Sequence, residues 1–339
     1  MRKIFAEFLI LTILFFPVGV LAQTISNEQT LLEKISTSKT NKQRIESGRK
    51  LLAYYINQRS YEKALPVCSN LLELKLSKKQ KFSLYMDMAL SNKESGKIED
   101  AIENCKEAEY LYPNKIDPKL MLGKIYFENA LYELAKNKFY EALEIDFKSV
   151  TSMIYLGDIF RAEKNYKTSL KYYEQAEKLR DNLNINVYLN IARCSKELGL
   201  TAKAMDMLEK IHKTNPDKNV SIPLACLYKE QGRFKDAQAK LSPLINESTF
   251  NDTELYANLA SLYILDKEYD KAKKLLIDFK SKNKKTEIID FLLAEAYYQS
   301  SDNQKAAKLF NEILTYTESD SFKSTIQKIS KIHAVTDKK

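Results

Sequence analysis

The chain has 339 residues, 44% of them apolar and 29% charged, with 54 basic against 45 acidic side chains and a net charge of +9. That length holds two ordinary domains or one elongated array, and seven glycines, seven prolines and no tryptophan argue against a turn-rich β fold and for an all-α one. Only eight of the cations are arginine, and lysine scattered along helices reads as a solvated face rather than a phosphate-reading surface, so no nucleic-acid partner is expected.

The first element in chain order is MRKIFAEFLILTILFFPVGVLAQT, with a basic start at Arg2 and Lys3, an apolar run carrying Glu7, and Val20-Leu21-Ala22 before Gln23. This pattern predicts a signal peptide over residues 1–22, cleaved after Ala22, and an exported chain that is periplasmic or secreted, with no stable membrane insertion after cleavage. An uncleaved anchor is the alternative, weakened by Pro17 and Gly19 in a stretch that barely reaches the ~20 residues a span requires. No cysteine follows Ala22, so a lipid anchor is not indicated. Residues 23–44 form an N-terminal segment that is partly helical.

From residue 45 onward a pattern recurs. LGKIYFENALYELAKNKFYEAL begins at Leu122 and LGDIFRAEKNYKTSLKYYEQA at Leu156, 34 residues later. Aligned on the small residue of these stretches, eight units start near residues 45, 82, 116, 150, 185, 218, 253 and 287. The eighth place of each unit holds Leu52, Ala89, Gly123, Gly157, Ala192, Ala225, Ala260 and Ala294; the twentieth holds Ala64, Ala101, Ala135, Ser169, Ala204, Ala237, Ala272 and Ala306. Each unit has two apolar-periodic runs joined by a short polar turn, so it predicts a helical hairpin with small residues where the two helices cross. Large residues follow three places after the first small one, at Tyr55, Tyr126, Phe160, Tyr228, Tyr263 and Tyr297, and are expected between neighbouring hairpins. No hairpin buries both faces alone, so the units must stack.

These residues resemble the tetratricopeptide repeat family over residues 45–320. The resemblance implies a superhelical solenoid of about eight hairpins. A closing run from Ser321, with Phe322, Ile326, Ile329 and His333 at helical spacing, looks like the capping helix and tail, residues 321–339. The first unit departs most, with Leu52 at a small-residue place and a 37-residue spacing to the next.

Chemistry is sparse. His212 and His333 lie far apart and in no metal-ligand spacing. No phosphate loop, nucleophile elbow or paired-carboxylate motif is found, and no cofactor is expected. Of four cysteines, Cys68 and Cys105 recur one unit apart, beyond bridging distance on stacked helices. Cys194 and Cys226 are the better candidate pair, although buried free thiols are the expected state for all four. The sequons at Asn219, Asn246 and Asn251 matter only in a eukaryotic secretory pathway.

In the family, first helices line a concave surface through places 2, 5, 6, 9 and 12 of each unit. The resemblance therefore implies a partner-binding groove at Lys124, Tyr155, Asp158, Arg161, Asn190, Arg193, Lys196 and Lys229. Asn and Arg in such a groove suit an extended peptide, whose backbone needs donors and acceptors and whose carboxylates favour arginine. The family's carboxylate clamp is not reproduced, since Ile154 and Asp158 stand where lysine and asparagine are wanted. The expected function is a non-enzymatic protein-interaction scaffold in a bacterial cell envelope. The alternative is a glycan- or peptidoglycan-associated module, for which Phe127, Tyr155 and Tyr298 would have to be open in the groove.

Overall fold

The computed structural model describes residues 18–179, 184–247, 252–283 and 286–336. Most of the expected leader lies outside these residues. All eighteen elements described are helices, grouped in two compact units.

Unit 1, residues 1–164 with 178–180, contains α1 (Val18–Ser36), α2 (Asn41–Asn57), α3 (Tyr61–Leu72), α4 (Lys78–Glu94), α5 (Ile98–Leu111), α6 (Ile116–Glu128), α7 (Tyr132–Ile145) and α8 (Val150–Ala162). Helices α2/α3, α4/α5 and α6/α7 pair as hairpins, and each packs on the next. Side-chain caps start several of them: Thr40 with Gln43 and Ser77 with Gln80 close reciprocal capping boxes at α2 and α4. Helix α1 packs on α2, and its Glu28 accepts from the Tyr55 hydroxyl at 2.8 Å and the Lys63 ammonium at 2.9 Å.

Unit 2, residues 165–177 and 181–339, contains α9 (Tyr166–Leu179, save its last two residues), α10 (Ile185–Glu197), α11 (Thr201–His212), α12 (Lys218–Glu230), α13 (Phe234–Glu247), α14 (Thr253–Leu265), α15 (Tyr269–Lys282), α16 (Glu287–Gln299), α17 (Asn303–Leu314) and α18 (Asp320–Thr336). Its hairpins are α10/α11, α12/α13, α14/α15 and α16/α17. Helix α18 covers the end of this stack: Ile326 is buried with Ala294, Ala306, Phe310 and Ile313, and Phe322 stacks on Phe291 at 4.9 Å. Ile329 and His333 are outside the described side chains.

All eight small residues at the twentieth place are at most 2% exposed, which is what close approach of two helices requires. The eighth place is matched in size to its partner on the second helix. Gly123 faces Phe139, where an added Cβ would stand 2.7 Å from the ring. Elsewhere alanine meets a smaller partner, as in Ala89 with Cys105 and Ala260 with Leu276. In the first hairpin the sizes are exchanged: Leu52 shares its cluster with Cys68. One turn earlier in the same helix, Gly48 admits Leu71, whose Cδ2 would lie 2.8 Å from a Cβ there. Leu52 is thus an inversion of the size pattern with its compensation on the facing helix.

The turn inside each hairpin has one backbone form. The residues Arg59, Gly96, Ala130, Lys164, Gly199, Gly232, Lys267 and Ser301, each fifteenth in its unit, have φ between 55° and 76°. The next N–H then reaches back to the carbonyl of the eleventh residue, as in Leu131 to Tyr126 at 2.8 Å and Glu268 to Tyr263 at 2.8 Å, the six-to-one bond of a left-handed helix C-cap.

Neighbouring hairpins are joined by a second recurring contact. The twenty-first side chain meets the fourteenth of the next hairpin: Lys136 with Glu163 at 3.0 Å in unit 1, then Met205 with Gln231 at 3.1 Å, Gln238 with Asp266 at 2.9 Å and Lys273 with Ser300 at 3.3 Å in unit 2. The eleventh-place aromatics differ from expectation in being rim groups as much as core. Tyr126, Tyr263 and Tyr297 are only half-buried, since a phenol hydroxyl seeks water or a partner. Lysines lie over these rings, Lys271 at 5.7 Å from Tyr263, and Lys273 and Lys305 at 5.6 and 5.2 Å from Tyr297.

Candidate functional site

The first helices of unit 2 enclose a cleft. Between α10 and α12 lies a cavity of about 690 Å3 bordered by Asn186, Leu189, Arg193, Asn219, Pro223 and Glu254, among others. A smaller one of about 150 Å3 continues it past Arg193 to Lys196 and Leu227. Apart from Leu227, the sequence places these walls at the second, fifth, sixth, ninth and twelfth places of their units, the stripe that one helix face presents at i, i+3, i+4 and i+7 spacing.

The polar groups of the cleft are of three kinds. Arg193 is exposed and, among the described residues, is held by one long 3.4 Å bond to the Asn190 side-chain oxygen, so its guanidinium is open to an incoming acceptor. Asn186 and Asn219 offer amides with both donor and acceptor ends. Pro223, inside α12, has no N–H to return to the carbonyl of Asn219, leaving a backbone acceptor at the cleft wall. Leu189, Ile222 and the Pro223 ring supply the apolar floor. Lys196 is committed to Glu230 at 2.8 Å, and that bond holds its ammonium above the usual lysine range. Lys229 is half-buried in the last turn of α12.

The other four groove residues expected from the sequence, Lys124, Tyr155, Asp158 and Arg161, belong to unit 1. Tyr155 is part of an aromatic cluster rather than an open platform: it stacks on Phe139 at 5.0 Å with the rings 10° from parallel, meets Phe127 edge-on at 5.3 Å, and has the Lys124 ammonium 5.8 Å from its ring. Burial raises its phenol pKa. Phe127 and Tyr298 are half-buried as well, so the aromatics do not form the exposed set that glycan stacking needs. Arg161 is half-buried, and its Nε is enclosed without a hydrogen-bond partner. Also in unit 1, the Asp87 carboxyl is pushed up to about 6 by burial, against the opposing pull of Arg49.

Lys136, on a second helix, is paired with Glu133 and Glu163 and lies over the Phe160 ring. Cys194 and Cys226 are free thiols, the state expected of all four cysteines. Cys194 is buried, with the Ser169 hydroxyl 3.4 Å from its sulfur, while Cys226 is half-buried rather than enclosed. Burial pushes the Cys68 and Cys105 thiols up to about 12, which leaves them unreactive.

Ser221 and His212 are 3.1 Å apart, a spacing that a nucleophile and its base could use. The Ser221 side chain is fully buried, however, so no substrate reaches it. Among the described residues no group of three or more His, Cys, Asp or Glu side chains could hold a metal ion. No described helix is long and apolar enough to cross a membrane.

Residues 186–218, which include one cleft wall, match a family model for the tetratricopeptide repeat. That stretch is a tetratricopeptide repeat, and the described helices share the fold of such arrays. The array is similar to the TPR repeat-containing protein YpiA of Bacillus subtilis, at 25% identity over 239 residues, 70% of this chain and 56% of that one. It is also similar to the TPR repeat-containing protein MJ1428 of Methanocaldococcus jannaschii, at 25% identity over 174 residues, 51% of this chain and 30% of that one. The chain therefore spans about half or less of the length of these curated relatives. In fold it is similar to a tetratricopeptide repeat protein from Parabacteroides merdae, with a TM-score of 0.50 and 17% identity over 73% of this chain and 98% of the other. Tetratricopeptide arrays are interaction modules for protein and peptide partners.

Proposed function

We propose that this tetratricopeptide repeat protein is a non-enzymatic scaffold of the bacterial cell envelope, exported by cleavage after Ala22, that grips an extended segment of a partner protein in the cleft between α10 and α12. The observation that carries the reading is the convergence on that cleft of an open guanidinium, two side-chain amides and a proline-freed carbonyl beside an apolar floor. An extended peptide needs backbone donors and acceptors at intervals and pockets for alternate side chains, and this wall supplies both. Arg193 then selects for an acidic side chain, by a charge-assisted hydrogen bond worth roughly 1.5–3 kcal/mol when shielded.

The partner is recovered from intact envelopes with the chain as bait and then titrated against variants. Arg193→Ala with Asn219→Ala weakens binding at least tenfold while the melting temperature holds, and Lys171→Ala, exposed on α9, leaves it unchanged. Unaltered affinity in the cleft variant rejects the reading. N-terminal sequencing of protein from its native host finds Gln23 first; retention of residues 1–22 rejects export by cleavage.

A further inference from the structure

Unit 1 carries a second surface, independent of the cleft. Its helices run alternately up and down, so the connections after α3, α5 and α7 emerge at one edge and the turns within hairpins at the other. The first edge bears the two most exposed large apolar side chains among the described residues: Tyr110 at the end of α5 is 82% exposed and Phe147 between α7 and α8 is 74% exposed, against 48% for the next, Ile277. Single exposed apolar side chains are ordinary on a monomer, but these two rings share one edge and outstrip every other such group described.

Lysines surround these rings. Residues 73–81, 110–117 and 144–149 hold Lys75, Lys78, Lys79, Lys81, Lys115 and Lys148 against four acids, and no arginine. None of the six lysines forms an ion pair with a described residue, whereas Lys93 at the opposite edge pairs with Glu94 and Glu128 at 3.0 Å each. That opposite edge is acidic: residues 57–62, 93–100 and 128–133 hold three basic residues against six acids. Unit 1 therefore has a basic, aromatic-tipped edge and an acidic one.

We propose that the basic edge of unit 1 rests on an anionic lipid bilayer, with Tyr110 and Phe147 entering the boundary between headgroups and acyl chains and the lysines held against lipid phosphates. Tyrosine and phenylalanine favour this boundary, and lysine stems lie along apolar surface while their ammonium groups stay in the headgroup layer. Unpaired lysines near an anionic bilayer each strengthen attachment in a non-directional way. A protein partner fits less well: the rings stand on separate connections with lysines between them, and directional carboxylate recognition favours arginine, which this edge lacks.

The chain contains no tryptophan, so one introduced residue reports its own surroundings. Phe147→Trp is mixed with vesicles of phosphatidylcholine alone, or of phosphatidylcholine and phosphatidylglycerol in equal parts. With phosphatidylglycerol its emission moves to the blue and is quenched by lipids brominated on the acyl chain; with phosphatidylcholine alone it does neither. Leu131→Trp, exposed on the opposite edge, stays unshifted with both. Joint Lys75→Glu, Lys78→Glu and Lys79→Glu substitution lowers affinity for the anionic vesicles on the order of a hundredfold. Two of these new acids enter the first turn of α4, where negative charge favours the helix, so the loss is not one of folding. An unresponsive Phe147→Trp, a Leu131→Trp that shifts, or reversed lysines that bind as before would each overturn the proposal.

Discussion

Gly123 and Phe139 occupy one another's space: the ring of Phe139 lies where the Cβ of any other residue at 123 would be, with ring carbons 2.7 and 2.8 Å from that position. Phe139 is fully buried and cannot swing aside. Gly123→Ala therefore lowers stability by about 1–3 kcal/mol in urea unfolding, although alanine is the better helix former by about 1 kcal/mol. Adding Phe139→Leu reproduces the Ala260–Leu276 combination and recovers most of the loss. A double variant no more stable than Gly123→Ala would mean the two sites are not matched in volume. Ala135→Leu and Ala237→Leu, at fully buried crossings, cost a similar amount with no such rescue.

The left-handed turn residue separates glycine from the rest. At Gly96 φ is 76° and nothing lies within 4 Å of an added Cβ, so Gly96→Ala pays only backbone strain, about 1 kcal/mol. At Ala130, with φ 58°, the reverse change relieves that strain but loosens the unfolded chain, and the net effect is within about 0.5 kcal/mol of zero. Thermal melts of the two single variants test this asymmetry.

Asp87 gives unit 1 a pH dependence of defined sign. Its folded-state pKa of about 6 lies above the ordinary 3.8, so the folded form holds a proton that the unfolded form has lost between those values. Stability from this group is therefore full below about pH 4 and falls as pH rises to about 6, beyond which the buried charge is a constant cost. Asp87→Asn raises the free energy of urea unfolding at pH 8 and not at pH 4, by on the order of 1–3 kcal/mol. Equal effects at both pH values would assign the change to packing instead.

Near the C-terminal end, Asp290 is 3% exposed and accepts from the Tyr316 hydroxyl at 2.5 Å, with Lys280 as its ion-pair partner. Tyr316→Phe removes a donor from a buried carboxylate and costs about 1–3 kcal/mol. Protection of α17 amides against hydrogen exchange falls with it, while that of α10 does not. Loss of protection in both helices would show that this contact stabilises more than its own end of unit 2.

Fold was legible because period and side-chain size coincide: Ala135 and its seven counterparts recur where helices must touch, and no other pattern puts small residues there. Turn geometry was not, since Arg59, Ala130, Lys164, Lys267 and Ser301 adopt a conformation that only glycine announces. In the cleft, Arg193 and Lys196 follow from their places in the unit, but Asn219 and Pro223 gain meaning only once α10 stands opposite them. Tyr155 looks open in sequence because its covering ring, Phe139, comes from the second helix of the preceding unit. Lys136 likewise has Glu163, 27 residues away, as its partner.

The bonds between twenty-first and fourteenth places carry a consequence for how such a chain can change length. Lys136 finds a carboxylate, Met205 an amide, Gln238 a carboxylate and Lys273 a hydroxyl. At these four joints a hairpin carries half of a two-part label that its own successor completes. Excising residues 253–286 would set Gln238 against Ser300 and discard both Asp266 and Lys273. Loss of that hairpin would thus remake the joint it leaves behind, and the order of the hairpins is written into these four joints.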